Sequence, residues 1–260
     1  RLSKVVYESV TYIVEQLRNS KFKLYGHELE FKEGATYKPI TIDLEDGRKV
    51  ELTGKIDRAD IAEIGDEKFV RIIDYKSSVR DLDLNQVVAG LQIQLISYLD
   101  AITENEKLNP AGVLYFNLID TIIKNSKNMA DEEIKEYKMK GLIVADIDII
   151  KAMDTKLEKG FSDTVPVYID RDGNVSNNRS SVISKEKFES LQKYAKKIVK
   201  EISSDIMNGK IDIKPYYMNK KTGCDFCEYK SICGFDINNN ENEEFDVQKT
   251  KVFKYIMFKK

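Results

Sequence analysis

The strongest constraint on the fold of this chain is a double change of period in its apolar residues. Between residues 25 and 73, short apolar–polar alternations are cut by Gly26, Gly34, Glu45-Asp46-Gly47 and Gly65-Asp66. Residues 84–103 then carry Val87, Val88, Leu91, Leu95, Tyr98 and Leu99 at helical spacing, and Gly112-Val113-Leu114-Tyr115-Phe116-Asn117-Leu118 returns to a nearly unbroken apolar run. A period of two reads as half-buried strands, a period near 3.6 as an amphipathic helix, and a short continuous run as a buried strand. A β-β-β-α-β order of this kind predicts an α/β fold, a mixed sheet with a crossover helix and further helices on its flanks.

The flanks fit that scheme. Val6, Val10, Ile13, Val14 and Leu17 recur at three- and four-residue steps and predict an opening helix over 1–20. Phe188, Leu191, Ala195, Ile198, Ile202 and Ile206 predict a long helix over 185–208, with Lys193, Lys196, Lys197 and Lys200 on a solvated face. Residues 119–183 are polar and weakly periodic, with a strand at 165–169 and a turn at Asp170-Arg171-Asp172-Gly173, and read as an elaboration of the core. We expect one domain over 1–237, then a polar linker and tail over 238–260 in which the run 252–258 adds a strand.

Several function classes drop out on composition and motif. Lys and Arg number 42 against 44 Asp and Glu, a net charge of −2, so no global basic field attracts a polyanion and any nucleic-acid contact must be local. A GxxxxGK[ST] phosphate loop is missing from the sequence, which argues against ATP hydrolysis by this stretch. No apolar run approaches the roughly 20 residues that span a bilayer. Arg1-Leu2-Ser3-Lys4 resembles neither a signal peptide nor a natural start, so the chain reads as a cut piece. Its 3 cysteines lie together between Cys224 and Cys233, which suits a metal site in a reducing, cytoplasmic setting better than a disulfide framework.

The chemistry concentrates in Gly54-Lys55-Ile56-Asp57-Arg58 and, across one apparent hairpin, Ile73-Asp74-Tyr75-Lys76-Ser77-Ser78. Residues two apart on a strand share a face, so Asp74 and Lys76 point together while Tyr75 points away. Asp57 from the neighbouring strand would bring a second carboxylate. Two hard oxygen donors hold Mg²⁺ or Mn²⁺, the backbone carbonyl of Tyr75 can add a ligand, and a lysine beside them can orient or deprotonate a metal-bound water. Gln94 and Tyr98, four apart on the following helix, share a face and can reach a phosphate backbone or that water.

Taken together, GKIDR, IDYKSS, Leu82-Asp83-Leu84, the stretch GLQIQLISYLDA over 90–101 and PAGVLYF over 110–116 resemble the motif series of RecB-type nucleases. These belong to the PD-(D/E)XK class, with its restriction-endonuclease-like mixed sheet. The AddB branch is the most similar, and Lys140-Gly141-Leu142-Ile143-Val144-Ala145-Asp146 extends the likeness beyond the core of about 50–118. The resemblance implies metal binding by Asp57 and Asp74, a catalytic role for Lys76, and the QxxxY role for Gln94 and Tyr98. It further implies a DNA exonuclease working beside an AddA-type helicase-nuclease partner at double-strand ends, cutting the 5′-ended strand. A Cas4-like or other RecB-family exonuclease and a non-catalytic scaffold of the same fold are the competing readings. The family's helix-borne histidine ligand has no assigned counterpart here, His27 being the chain's sole histidine.

Cys224, Cys227 and Cys233 stand in C-x2-C-x5-C spacing, three thiolates where zinc and 4Fe-4S sites take four protein ligands. The AddB resemblance implies a 4Fe-4S cluster completed by a cysteine upstream of Arg1, with a scaffolding rather than a catalytic role.

Overall fold

Five strands occupy the alternating region in the computed structural model, which describes residues 2–119, 137–236 and 243–244. They are β1 (Lys23–Phe31), β2 (Ile40–Asp43), β3 (Lys49–Leu52), β4 (Gly54–Ile64) and β5 (Glu67–Lys76). The Glu45-Asp46-Gly47 turn closes β2 onto β3 as a separate two-stranded ribbon, Gly47 taking φ +84°. After β5 the chain runs through α2 (Leu84–Val88) and α3 (Gln94–Glu106) into β6 (Asn109–Asn117), which lies parallel to β5. A parallel pair cannot be joined by a tight turn, so the helical segment is the crossover that the change of period announced. The single helix expected over 84–103 is broken at 89–93, where Gly90 adopts φ +75° beside Ile198.

The main sheet has the order β1-β4-β5-β6-β7-β10, with β7 at Lys140–Val144 and β10 at Val182–Ile183. Segment 119–183 therefore supplies two strands of the central sheet, while residues 120–136 lie outside those described. The KGLIVAD stretch has a structural explanation. Its first five residues are β7, and Asp146 caps α4 (Ile147–Met153) by accepting from the backbone N–H groups of Asp148 and Ile149. Gly141 sits at φ +141°, and a Cβ there would collide with the Val113 carbonyl and lie 2.9 Å from Leu114 Cα. Gly141→Ala should cost roughly 1–3 kcal/mol of stability through overpacking, measurable by urea denaturation of the folded chain.

Buried Ile72, Ile73, Val113, Leu114 and Ile143 of the sheet form one core with Ile96, Leu99 and Ile102 of α3. The long helix α5 (Lys185–Met207) starts at Ser184, whose hydroxyl accepts from Lys187 N–H. It is tied to the crossover by Lys196 to Asp100 at 3.0 Å and by the Tyr194 hydroxyl donating to Val88 O at 2.8 Å. Strands β8 (Gly160–Phe161) and β9 (Tyr168–Ile169) form a small ribbon, so only the end of the strand expected over 165–169 forms. The Asp170–Gly173 turn is present, with the Gly173 N–H bonded to Asp170 O at 3.3 Å.

Two amphipathic stripes are less covered than their spacing suggested. Helix α1 (Leu2–Arg18) buries Ser9 and Gln16, while Val6 and Val10 are about half exposed (53% and 52%). In α5 the stripe is buried through Val199 but open at Ile202 and Ile206. Near the C-terminus, β11 (Tyr216–Met218) pairs with β12 (Lys221–Thr222) and, in parallel, with β13 (Glu243–Glu244). The run 252–258 lies outside the described residues. Among the described residues no helix is long and apolar enough to cross a membrane.

Candidate active site

The β4–β5 hairpin turns at Gly65, φ +63°, and keeps an antiparallel register from Ile64↔Glu67 to Arg58↔Ile73. One step further along that register, Asp57 falls opposite Asp74. The ladder stops there, and the Asp57 carboxylate takes over its bonding, Oδ2 accepting the Tyr75 N–H at 3.0 Å. Asp57 is thus aimed at β5 by a backbone donor. Asp74 is nearly buried (8% exposed), and Lys76 Nζ lies 2.6 Å from its Oδ2. The expected convergence of Asp57, Asp74 and Lys76 is present in the fold.

Burial pushes the Asp74 carboxyl up from its ordinary value, the Lys76 ammonium pulls it down, and the nearby Asp57 charge pushes it up again, with a net rise. Asp74 Oδ2 is buried, and the ammonium beside it is an ion pair without the direction of a proper hydrogen bond, so no aligned donor satisfies that oxygen. A buried carboxylate oxygen whose one cationic neighbour is the Lys76 ammonium, with a second carboxylate nearby, is a donor set that fits a hard divalent cation. Among the described residues no group of three or more His, Cys, Asp or Glu is assembled for a metal. Any further ligands would have to come from a backbone carbonyl such as that of Tyr75, or from water.

The opposite face of the same two strands holds an ion cluster that sequence reading missed. Arg58, Asp60 and Arg71 are all buried; Arg58 Nε and Nη2 each donate to Asp60 at 2.7 Å, and Arg71 Nε and Nη2 donate at 3.1 and 3.0 Å. Arg58 Nη1 also donates to the Tyr75 hydroxyl at 3.4 Å, and the Tyr75 ring meets Phe116 edge-on at 5.8 Å. Tyr75 is therefore fixed on one side by Arg58 while its N–H holds Asp57 on the other. The signal was in the sequence: Arg58, Asp60 and Arg71 alternate on two strands that are otherwise apolar at those positions.

Gln94 and Tyr98 do share a face of α3, with Gln94 Nε2 donating to the Tyr98 hydroxyl at 3.2 Å. The same hydroxyl accepts the Lys55 N–H at 3.3 Å, and the Tyr98 ring stacks on Phe31 at 6.0 Å. A Cβ at Gly54 would strike the Tyr98 hydroxyl and ring, so a larger residue there must push the tyrosine aside. These bonds tie α3 to the strand bearing Asp57; they run to Lys55, and not to Asp57, Asp74 or Lys76. Beyond β5, β6 sets Tyr115 beside Asp74 and Asn117 beside Lys76. The buried Asn117 side chain holds both backbone groups of Arg80, accepting its N–H at 2.9 Å and donating to its carbonyl at 3.1 Å. Burial and the Asp74 charge push the Tyr115 phenol up to about 12.

His27 stands within β1, exposed and opposite Arg58. Glu28 and Glu30 are paired with Lys55 at 3.0 Å and Lys32 at 2.6 Å, as befits an edge strand. Cys224 is half-buried, Cys227 and Cys233 are exposed, and all three are free thiols. Cys224 and Cys227 lie on a 3-10 turn capped by Thr222 and its extension, and Cys233 ends the one-turn helix α6 (Lys230–Cys233).

A two-acid hairpin with a lysine on its second strand, backed by a crossover helix and a parallel strand, defines a nuclease class, and the chain belongs to the PD-(D/E)XK nuclease superfamily, whose family model matches residues 1–234. It is similar to the B subunit of the ATP-dependent helicase/deoxyribonuclease of Clostridium kluyveri, 40% identical over 254 residues, 94% of this chain and 22% of that protein. The corresponding protein of Thermoanaerobacter sp. is 39% identical over 96% of the chain, and that of Clostridium novyi 41% over 96%. The chain spans 22–23% of the length of these relatives.

Proposed function

We propose that this chain is the DNA-cutting domain of a helicase-nuclease, hydrolysing phosphodiester bonds at double-strand ends, with an AddA-type partner and the 5′-ended strand as substrate. The supporting observation is the Asp57–Asp74 pair, one oxygen of which is buried without an aligned donor, next to the Lys76 ammonium. Asp57, Asp74 and the Tyr75 carbonyl would hold Mg²⁺ or Mn²⁺, which when bound polarises a phosphate and lowers the pKa of a coordinated water. Lys76 stands where its ammonium can orient that water and steady the charge on the phosphate. Gln94 and Tyr98 brace β4 and present an amide to the incoming strand. Residues 1–237 form the domain on this reading.

Lys76→Ala should reduce cleavage by roughly 10²–10³-fold, the range for removing one charged catalytic group, with divalent-cation affinity largely kept because an ammonium is not a ligand. Calorimetric loss of Mn²⁺ binding in that variant would contradict the role given. The cleavage assay belongs in the full chain with its partner, on end-labelled duplex DNA.

Cys224, Cys227 and Cys233 do not close a metal site by themselves. We assign them to a 4Fe-4S staple completed by a fourth cysteine elsewhere in the longer protein, with no part in the hydrolytic step. Cys227→Ser in the full-length protein should remove the cluster's visible absorption and lower thermal stability, since cluster binding is coupled to folding. Full-length protein that stays iron-free after anaerobic reconstitution would refute the assignment.

A further inference from the structure

Past Lys76 the wall of the site carries two groups that the roles above leave idle. Tyr115 shares the Asp74 face of the sheet by register, and the residue is only 7% exposed. Its hydroxyl has no hydrogen-bond partner among the described residues. The Asp74↔Tyr115 register sets the two residues side by side on neighbouring strands, and the charges of Asp74, Arg80 and Asp81 act on the phenol. The ring is held by burial while the hydroxyl is not among the buried orphan atoms, so it is a positioned donor open to water that an arriving acceptor can take over.

Arg80 is the second group. Its side chain is exposed and makes no ion pair among the described residues, yet its backbone is clamped on both sides by Asn117. Asn117 in turn is registered beside Lys76. Strand β6 thus sets a neutral donor and, through Asn117, a cation in step with Asp74 and Lys76. A phosphodiester approaching two carboxylates needs donors for its anionic oxygens on the side away from them, and a guanidinium suits a phosphate in shape and charge.

Building on the nuclease reading, we propose that Tyr115 and Arg80 form a substrate-positioning arm: the Tyr115 hydroxyl donates to a non-bridging oxygen of the scissile phosphodiester, and the Arg80 guanidinium holds the next phosphate along the strand. The arm grips the backbone and reads no base, so it is indifferent to sequence.

The test uses the full chain with its partner. Tyr115→Phe keeps the buried ring and should lower kcat by roughly ten- to a hundredfold, the worth of one hydrogen bond to a charged oxygen, with KM for DNA little changed. Arg80→Gln should raise KM and spare kcat, and Arg80→Lys should restore part of the affinity. In an Asp74→Asn background with EDTA present, adding Arg80→Gln should flatten the slope of log affinity for single-stranded DNA against log salt by about 0.7, the loss of one phosphate contact. Equal melting temperatures for Tyr115→Phe and the parent exclude a folding effect. Wild-type kcat in Tyr115→Phe, or an unchanged KM and salt slope in Arg80→Gln, would overturn the arm. Wild-type cleavage by Asp74→Asn would instead remove the nuclease reading on which it rests.

Discussion

Asp74→Asn should lower DNA cleavage by a factor on the order of a thousand or more while leaving the protein folded. The substitution keeps the size of the side chain and removes the charge that, on the proposed reading, helps Asp57 hold a divalent cation. Its effect on stability runs the other way. The Asp74 carboxyl is raised in the folded state by burial and by Asp57, so ionised Asp74 destabilises the fold at neutral pH. For a raised carboxyl the favourable contribution is complete below the unfolded pKa and is lost as pH climbs through the folded one, so the penalty grows as the group ionises. Metal-free Asp74→Asn should therefore melt above the parent at pH 7, and the gap should close on acidification. A melting temperature below the parent's at pH 7 would show that the Lys76 ion pair outweighs the desolvation.

Asp60→Ala should be the most destabilising single change in the hairpin, costing about 3–5 kcal/mol, the usual loss when one partner of a buried ion pair is removed. Asp60 is fully buried and is shared by two guanidinium groups, with Arg71 only 1% exposed and its Nη1 already without an acceptor. Without the carboxylate, two cations face each other behind β4 and β5, and Arg58 loses the anchor that sets it against Tyr75. Exposed pairs such as Lys156–Glu15 should matter far less when broken, because solvent screens them. Urea denaturation of the two variants beside the parent checks the ordering; a shift for Asp60→Ala no larger than for Glu15→Ala would contradict it.

The sheet and the site were legible for different reasons. Strand β5 announces itself because Val70, Ile72 and Ile73 are apolar on both faces, and Asp74 and Lys76 stand out as charged residues at the end of such a strand. Asp57 was readable only through the pairing of two motifs across a turn. The Arg58–Asp60–Arg71 cluster was not read, because alternation reports that a face is polar and not that the polar groups satisfy one another in the interior. Tyr115 was read as part of an apolar run; its placement next to Asp74 depends on a parallel register that local sequence does not encode. The stripes on α1 and the end of α5 mark apolar faces that need cover, and periodicity does not say which part of a protein provides it.

If Asp57 and Asp74 hold a divalent cation at which DNA is cut, cleavage must depend on both the cation and the two carboxylates. End-labelled duplex DNA is incubated with the full chain and its partner, first in EDTA and then with Mg²⁺ restored, for the parent and for the Asp57→Asn/Asp74→Asn double variant. Cleavage of one strand is expected to vanish in EDTA, to return with Mg²⁺ in the parent, and to stay absent in the double variant at every Mg²⁺ concentration. Cleavage of that strand by the double variant at the parental rate, or by the parent in EDTA, would contradict the claim.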